Sequence, residues 1–397
     1  MLTDAQRLSA AGFAATAVSF GPARMGFGLF VPEFQAAFSM SSTAVGLVSS
    51  LGFAGFLVGL LIAQVLLERR GPAIPVVSGL AAATLGILTI VLAPGVWVLA
   101  PGVFLAASSA GFAWTPFNDA VHRKVREVDR KTALSEISTG TSAGIAVAGL
   151  IALGMAFAGF GWRLCWTIFA VGSALALLAN WAVLRGIDKS QDPPPKHGWR
   201  ALLRWPAAPL FAVAFVFGVT SAIYISFAAD AFARAGVPGM PGGTTPALVF
   251  IFYGFFGLAG LATGRIRDRI GLTALLRLLM LAGAGSLASV GLLSGGWAGL
   301  VLSAGLQGMN VMMTSAVLAI WSERLFPGCP SRAFTAALLA TAAGNLSGPA
   351  LAGLVVDGPG FAVMFLGAAV LPIVTAIALR ARFVVDQPAR FADGLTA

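Results

Sequence analysis

The chain has 397 residues, 58% of them hydrophobic and 10% charged, with a formal net charge of +10 and a mean hydropathy of +0.90. Soluble domains carry roughly 25% charged residues, so this composition cannot coat a water-facing globule of such length. Its 49 glycines have no three-residue period and there are only two cysteines, which excludes fibrous and disulfide-stapled classes too.

What remains is a polytopic helical membrane protein, whose excess of Arg and Lys belongs to cytoplasmic loops rather than to nucleic-acid binding. Apolar runs broken by Gly, Pro and charge predict twelve spans, over 8–30, 43–67, 73–92, 96–120, 133–158, 164–184, 208–232, 246–264, 272–293, 297–321, 333–356 and 361–380. Hydrocarbon offers no partner to an unpaired backbone group and barrel-type alternation is absent, so each run is read as a helix. The N-terminal run is expected to be an uncleaved first span rather than a secretory leader, because Pro22 and Arg24 interrupt it. The longest polar stretch, with Pro193, Pro194 and Pro195, falls between spans six and seven. It divides the chain into a six-helix unit at 1–184, a cytosolic linker at 185–207 and a second six-helix unit at 208–397.

Span one carries the most informative residue, Arg24, within GPARMGFG at 21–28. A cation in mid-span costs about 2.5–3.5 kcal/mol on insertion scales and normally faces a cavity or a partner. A 3.6-residue period puts Ala17, Gly21, Gly28 and Val31 on its stripe, and Pro22 frees the Val18 carbonyl. A guanidinium fork suits carboxylate, phosphate or sulfate; tying helices together through carbonyls is the alternative. Glu33, beside Pro32, lies toward the outer end of this span.

Span two repeats glycine at Gly52, Gly55 and Gly59, span five at Gly140 and Gly144, span eight at Gly254, Gly257 and Gly260, and span eleven at Gly344 and Gly348. Small residues of this kind let helices approach and slide. Span four has a polar stripe of Ser108, Thr115 and Asp119 with Asn118 adjacent, and span seven has Thr220, Ser221, Tyr224 and then Asp230. Span ten shows the longest polar face, Ser303, Gln307, Asn310 and Thr314, and Asn345 lies in span eleven. Such stripes line a channel or hold helices together.

Charge sets the orientation. With the N-terminus inside, the cytoplasmic segments hold nearly all the basic residues, against Arg163 and Arg234 on the other side, and Arg277 snorkels from a cytoplasmic helix end. Both termini are therefore expected to face the cytosol. Trp97, Trp162, Trp166 and Trp297 mark the outer edge and Trp181, Trp205 and Trp321 the inner one.

The halves match weakly at an offset of 200, with QVLLERRG at 64–71 after span two, GRIRDRIG at 264–271 after span eight, and Gly144 opposite Gly344. The sequence here resembles the major facilitator superfamily of secondary transporters. The second copy fits that family's G-x-x-x-D-R-x-G loop motif, whereas the first has Gln64 for the leading Gly and Pro72-Ala73 where basic residues usually follow. The resemblance covers essentially the whole chain.

It implies two pseudo-symmetric six-helix bundles that alternate access, with spans one, four, seven and ten around a central cavity and spans two, five, eight and eleven at the seam. It places Arg24 in the substrate path, with its repeat mate Tyr224 bonding the same substrate and Gln307, Asn310 and Asn118 as neutral contacts. It makes Glu68, Arg69, Asp268 and Arg269 a charge latch between helix ends, where an ordinary tight turn is the plainer reading. Glu33, Asp230 and Asp119 are the candidates for carrying protons, against solvated span-end caps.

The expected function is secondary active transport of a small organic or inorganic anion across the plasma (inner) membrane, by a monomer, with or without a coupled ion. The alternative is proton-coupled efflux of drugs or amphipathic metabolites, which Phe27, Phe30, Phe112, Trp114, Phe255 and Phe256 could serve. Two departures weaken that alternative. Ala107 stands four before Gly111 where drug exporters often have Arg, and the pattern Gly344-x-x-x-Gly348-Pro349 occurs in span eleven instead of span five. Neither a cofactor nor a metal is expected: Cys165 and Cys329 lie in no cluster, the only histidines are His122 and His197 in loops, and no phosphate-binding loop or nucleophile turn is present. An enzyme is therefore not expected.

Overall fold

The computed structural model describes residues 3–185, 187, 207–327, 330–380 and 384. The linker at 185–207, apart from Arg185, Ile187 and Ala207, lies outside them, as do Cys329 and His197. Among the described residues, eleven helices are each long and apolar enough to cross a bilayer. These are span two, Ser42–Arg70; three, Ala73–Val91; four, Val96–Lys124; five, Glu127–Phe157; six, Trp162–Leu184; seven, Ala208–Ala235; eight, Thr245–Ile270; nine, Leu272–Leu293; ten, Trp297–Leu325; eleven, Arg332–Asp357; and twelve, Phe361–Ala378.

Span one completes the twelve as a broken helix, an α-helix Asp4–Val18, a π-helical turn Ser19–Met25, a short α-helix Gly26–Leu29 and a last one Val31–Phe38. Pro22 inside that turn has no N–H to give and its ring displaces the Val18 carbonyl, which is a known cause of a widened turn. Spans four and eight each tighten into a 3-10 turn, at Ser109–Phe112 and Leu258–Ala262.

The spans form two six-helix bundles with a repeated plan. Gly144 of span five leaves no room for a Cβ against the Ala17 carbonyl of span one; Gly344 of span eleven stands in the same relation to the Phe215 carbonyl of span seven. These contacts are the structural counterpart of the 200-residue offset. Thr16 reinforces the first by donating to the Ile137 carbonyl at 2.7 Å.

Most of the seam-helix glycines face inward to their own bundle. Gly52, Gly55 and Gly59 pack on span four, Gly140 and Gly144 on span one, and Gly344 and Gly348 on span seven. Only Gly254 and Gly257 of that set meet the other bundle, at Ser142 and Ala146 of span five. Gly254 thereby brings the bundles into backbone contact, and glycines outside that set do the same: Gly28 on Ile225, Gly46 on Pro349, Gly149 on Ala247 and Gly353 on Ser42. A repeat of small residues fixes close approach without saying which neighbour approaches.

The cores differ between the two ends. At the end that carries the basic loops (the basic end), each bundle has its own cluster, around Phe117, Val121 and Ile137 in the first and Leu276, Val317 and Trp321 in the second. At the far end a single cluster runs through both, joining Phe30, Phe34 and Trp166 to Phe227, Phe250 and Phe365. Arg277 caps the chain end of span twelve by donating from Nε to the Leu379 carbonyl at 2.8 Å.

Candidate functional site

A cavity of about 400 Å³ lies between the bundles. It runs from Arg24 near mid-span to Ser135, Leu261 and Phe334 toward the basic end, with walls from spans one, two, four, five, seven, eight, ten and eleven. Phe20, Phe56, Trp114, Phe217 and Phe334 give it an aromatic surface; Ser138, Thr141 and Ser142 form a hydroxyl ledge on span five, faced by Ser315, Thr341 and Asn345. Among the described residues that line it there is no Asp or Glu, and Arg24 is the only cation.

Arg24 sits in the π-helical turn, its guanidinium carbon 4.2 Å from the centre of the Phe56 ring, 5.5 Å from that of Phe20 and 5.6 Å from that of Phe53. Stacking of this kind holds the fork flat while leaving its in-plane N–H groups to other partners. Its Nε is buried and has no hydrogen-bond partner among the described residues. An arginine that merely clamped helices would spend those donors on carbonyls or a carboxylate.

The widened turn also breaks the stripe that a 3.6-residue period would give. Gly21 packs on Gly144 of span five, Arg24 looks onto span two, and Gly28 packs on Ile225 of span seven. The three residues share no single face.

The other candidates divide. Tyr224 is fully buried off the cavity wall, its hydroxyl 3.3 Å from Ser303 and its ring centre 6.2 Å from that of Tyr253. Ser221, one turn earlier, and Asn345 do line the cavity, and each has a buried side-chain atom without a partner.

The polar face of span ten does not line the cavity. Ser303 meets Tyr224 and accepts at its carbonyl from Ser286, Asn310 lies against Gly283 of span nine, and Thr314 donates to Asn310 at 3.1 Å. This stripe binds span ten to spans seven and nine, and the cavity instead meets Val311, Met312, Ser315 and Ala319. Gln307, on the same buried face, has no partner for its amide nitrogen among the described residues. In span four Thr115 and Trp114 reach the cavity, while Asn118 is half-buried beside them and off its wall.

The carboxylates are at the span ends. Asp119 pairs with Arg123 one turn on, at 2.6 Å. At the far end Asp230, 2% exposed, accepts from Arg234 at 2.9 Å through one oxygen and leaves the other unpartnered. Arg234 reaches across to Gln35 of span one at 3.2 Å, and Glu33 keeps a buried oxygen without a partner. Asp357, at the end of span eleven, accepts the backbone N–H groups of Ser42 at 3.0 Å and Thr43 at 2.8 Å, and so caps span two from the other bundle.

At the basic end the motif residues act locally. Asp268 accepts from its neighbour Arg267 at 2.9 Å, Glu68 and Arg269 are exposed, and Arg69 lines a cleft on its own bundle. The bundles are linked there by Gln64, which donates to Thr335 of span eleven at 3.3 Å.

Two further residues contribute. Tyr253 of span eight is buried beside Tyr224, and its hydroxyl has no partner among the described residues. The chain has only two tyrosines, so their shared placement in apolar spans was an available signal. Asp357 carried none, since a carboxylate at a span end looks like an ordinary solvated cap.

The Major Facilitator Superfamily model matches residues 12–324. No curated protein matches the sequence. The fold is similar to that of a mutant form of the nucleoside transporter NupG, at a TM-score of 0.74 and 15% identity over 95% of this chain and 99% of that one. It is also similar to a mutant peptide transporter POT in complex with sulfate, at 0.77 and 15% over 95% of each chain. A bacterial homolog of the human lysosomal transporter Spinster, inward-facing and unoccupied, aligns at 0.67 and 16%, again over 95% of each. Those identities make the likeness one of fold, whereas the family match takes in most of the sequence. On that match the chain is a member of the Major Facilitator Superfamily, a transporter and not an enzyme.

Proposed function

We propose that the protein is a secondary active transporter for a small organic anion with an apolar body, working as a monomer by alternating access. One observation carries this reading: Arg24 lines an aromatic cavity with no acidic residue among its described lining, and no described side chain takes up its Nε. A guanidinium held in mid-membrane with donors to spare is matched by a carboxylate, which it can bind through two parallel hydrogen bonds. Phe56, Phe217, Trp114 and Phe334 would then take the apolar body, with Ser221, Asn345 and the span-five hydroxyls at its polar edge.

The cavity opens toward the end with the basic loops, which the charge rule places in the cytosol. On that assignment the cavity would be inward-open, and the protein would lie in the plasma membrane with both termini cytoplasmic. Tyr224, Gln307 and Tyr253 sit behind the wall and would support it, and Asn118 would border the exit. Glu33 and Asp230 are our candidates for a coupled proton, because parting of the far end would carry both from buried to hydrated surroundings. Asp119, which gives both oxygens to Arg123 where Asp230 gives only one to Arg234, is the least suited of the three. Glu68, Arg69, Asp268 and Arg269 would latch the basic end only when it closes.

A second reading, efflux of lipophilic drugs, draws on the same aromatic walls. Thermal melting of the purified protein against carboxylates, phosphates and lipophilic cations separates the two. Stabilisation by an apolar carboxylate that disappears in Arg24→Ala supports anion transport. Stabilisation by lipophilic cations alone, unchanged in that variant, rejects it.

A further inference from the structure

A second feature of the basic end lies away from the central cavity. Arg69 and Arg70 at the end of span two, Ala73 and Ile74 at the start of span three, and Trp181 and Arg185 at the end of span six enclose a cleft of about 700 Å³ on the outside of the first bundle. None of the described residues that line it is acidic. The three guanidinium groups therefore repel one another unless something negative lies between them.

The first turn of span three strengthens the case. Its nineteen-residue helix starts at Ala73 with no side chain capping it, so unpaired backbone N–H groups and the positive end of the helix dipole meet the same cleft. The wall beyond is apolar and open to lipid: Ile74 is 45% exposed and Trp181 52%. Arg185 stacks over Trp181 at 5.4 Å, which fixes a charge beside an aromatic ring at the depth where headgroups lie.

We propose that this cleft binds the phosphodiester headgroup of an anionic phospholipid, with the acyl chains running down Ile74, Val77 and Trp181. A soluble phosphate would satisfy the arginines but would leave the exposed apolar wall uncovered, whereas a zwitterionic lipid would bring a cation into a cationic site. The site gives Arg69 a ligand on its own bundle in the inward-open form, separate from any part it has in closing the basic end.

The test uses the full-length protein purified in detergent, with phosphatidylglycerol, phosphatidylcholine and glycerol 3-phosphate as probes. Thermal midpoints and native mass spectra of retained lipid are read for the wild type and for the double variant Arg70→Gln, Arg185→Gln. Phosphatidylglycerol is expected to stay bound to the wild type and raise its midpoint, and to bind about twentyfold more weakly to the double variant. A control double variant, Lys131→Gln with Arg265→Gln, removes the same charge elsewhere at that end and is expected to keep wild-type binding. Equal lipid retention in wild type and double variant overturns the site. So does an equal loss in the control, which would make the effect one of diffuse charge, and so does full stabilisation by glycerol 3-phosphate, which would make the ligand a soluble phosphate. If the double variant does not fold, Arg185→Gln alone, read by mass spectrometry, decides in the same way with about a fivefold effect.

Discussion

The two ends of the molecule are held by different kinds of contact. At the far end the bundles share one aromatic and aliphatic core, backbone meets backbone at Gly28, Gly46 and Gly353, and Asp357 caps a helix of the opposite bundle. At the basic end each bundle keeps a core of its own, and the described residues that link them include a small cluster of Phe56, Ala110 and Ala342 and a bond from Gln64 to Thr335. Closure by shape excludes water over a wide area but has to be undone as a unit. Closure through polar bonds such as this one can be made and broken with little change in buried surface. The difference accounts for a cavity that reaches the basic end and stops short of the other.

The comparison can be broken most strongly at Gly46. In Gly46→Leu the new side chain collides with the Pro349 carbonyl, and overpacking of about 1–3 kcal/mol implies roughly a 5- to 150-fold shift toward a form parted at the far end. Labelling of an added Thr43→Cys by an impermeant thiol reagent should rise, and transport should fall. Arg24→Ala sharpens the contrast by leaving the far end alone. Loss of hydrogen bonds to a charged group, about 1.5–3 kcal/mol, should weaken anion binding roughly 10- to 150-fold without changing Thr43→Cys labelling. Arg24→Lys should recover little of it, since an ammonium cannot present the same fork.

Asp357→Ala removes the inter-bundle cap and should cost about 1 kcal/mol, a shift of about fivefold toward far-end opening, visible in the same labelling assay. The smallest effect is expected for Gln64→Ala. A half-exposed bond of 3.3 Å contributes about 0.5 kcal/mol, so reorientation rates measured by substrate exchange should change about twofold.

Much of this architecture was legible beforehand because lipid imposes strict rules on a chain. Helix ends fell within a few residues of the observed ones for most spans, and span nine matched at both ends. The repeat was visible in Gly144 and Gly344, whose lack of a side chain is needed at the same joint in each bundle. The place of Arg24 on a cavity wall could be expected because a mid-span cation has few places to go. The polar face of span ten was not, because Ser, Gln, Asn and Thr bond equally well to water and to a neighbouring helix, and helical spacing does not record which is there. The break in span one followed from Pro22, but its effect on which faces Gly21 and Gly28 present did not, since a widened turn changes the count on which the period rests.

That turn has a mechanical consequence. Below it, span one is mortar within the first bundle, set against Gly144; above it, the same helix belongs to the plug that shuts the far end, set against Ile225. Arg24 stands where one job gives way to the other. On the function proposed above, an anion bound there would pull directly on both the frame and the stopper, so that no relay of intervening residues would be required for cargo to be felt at the door.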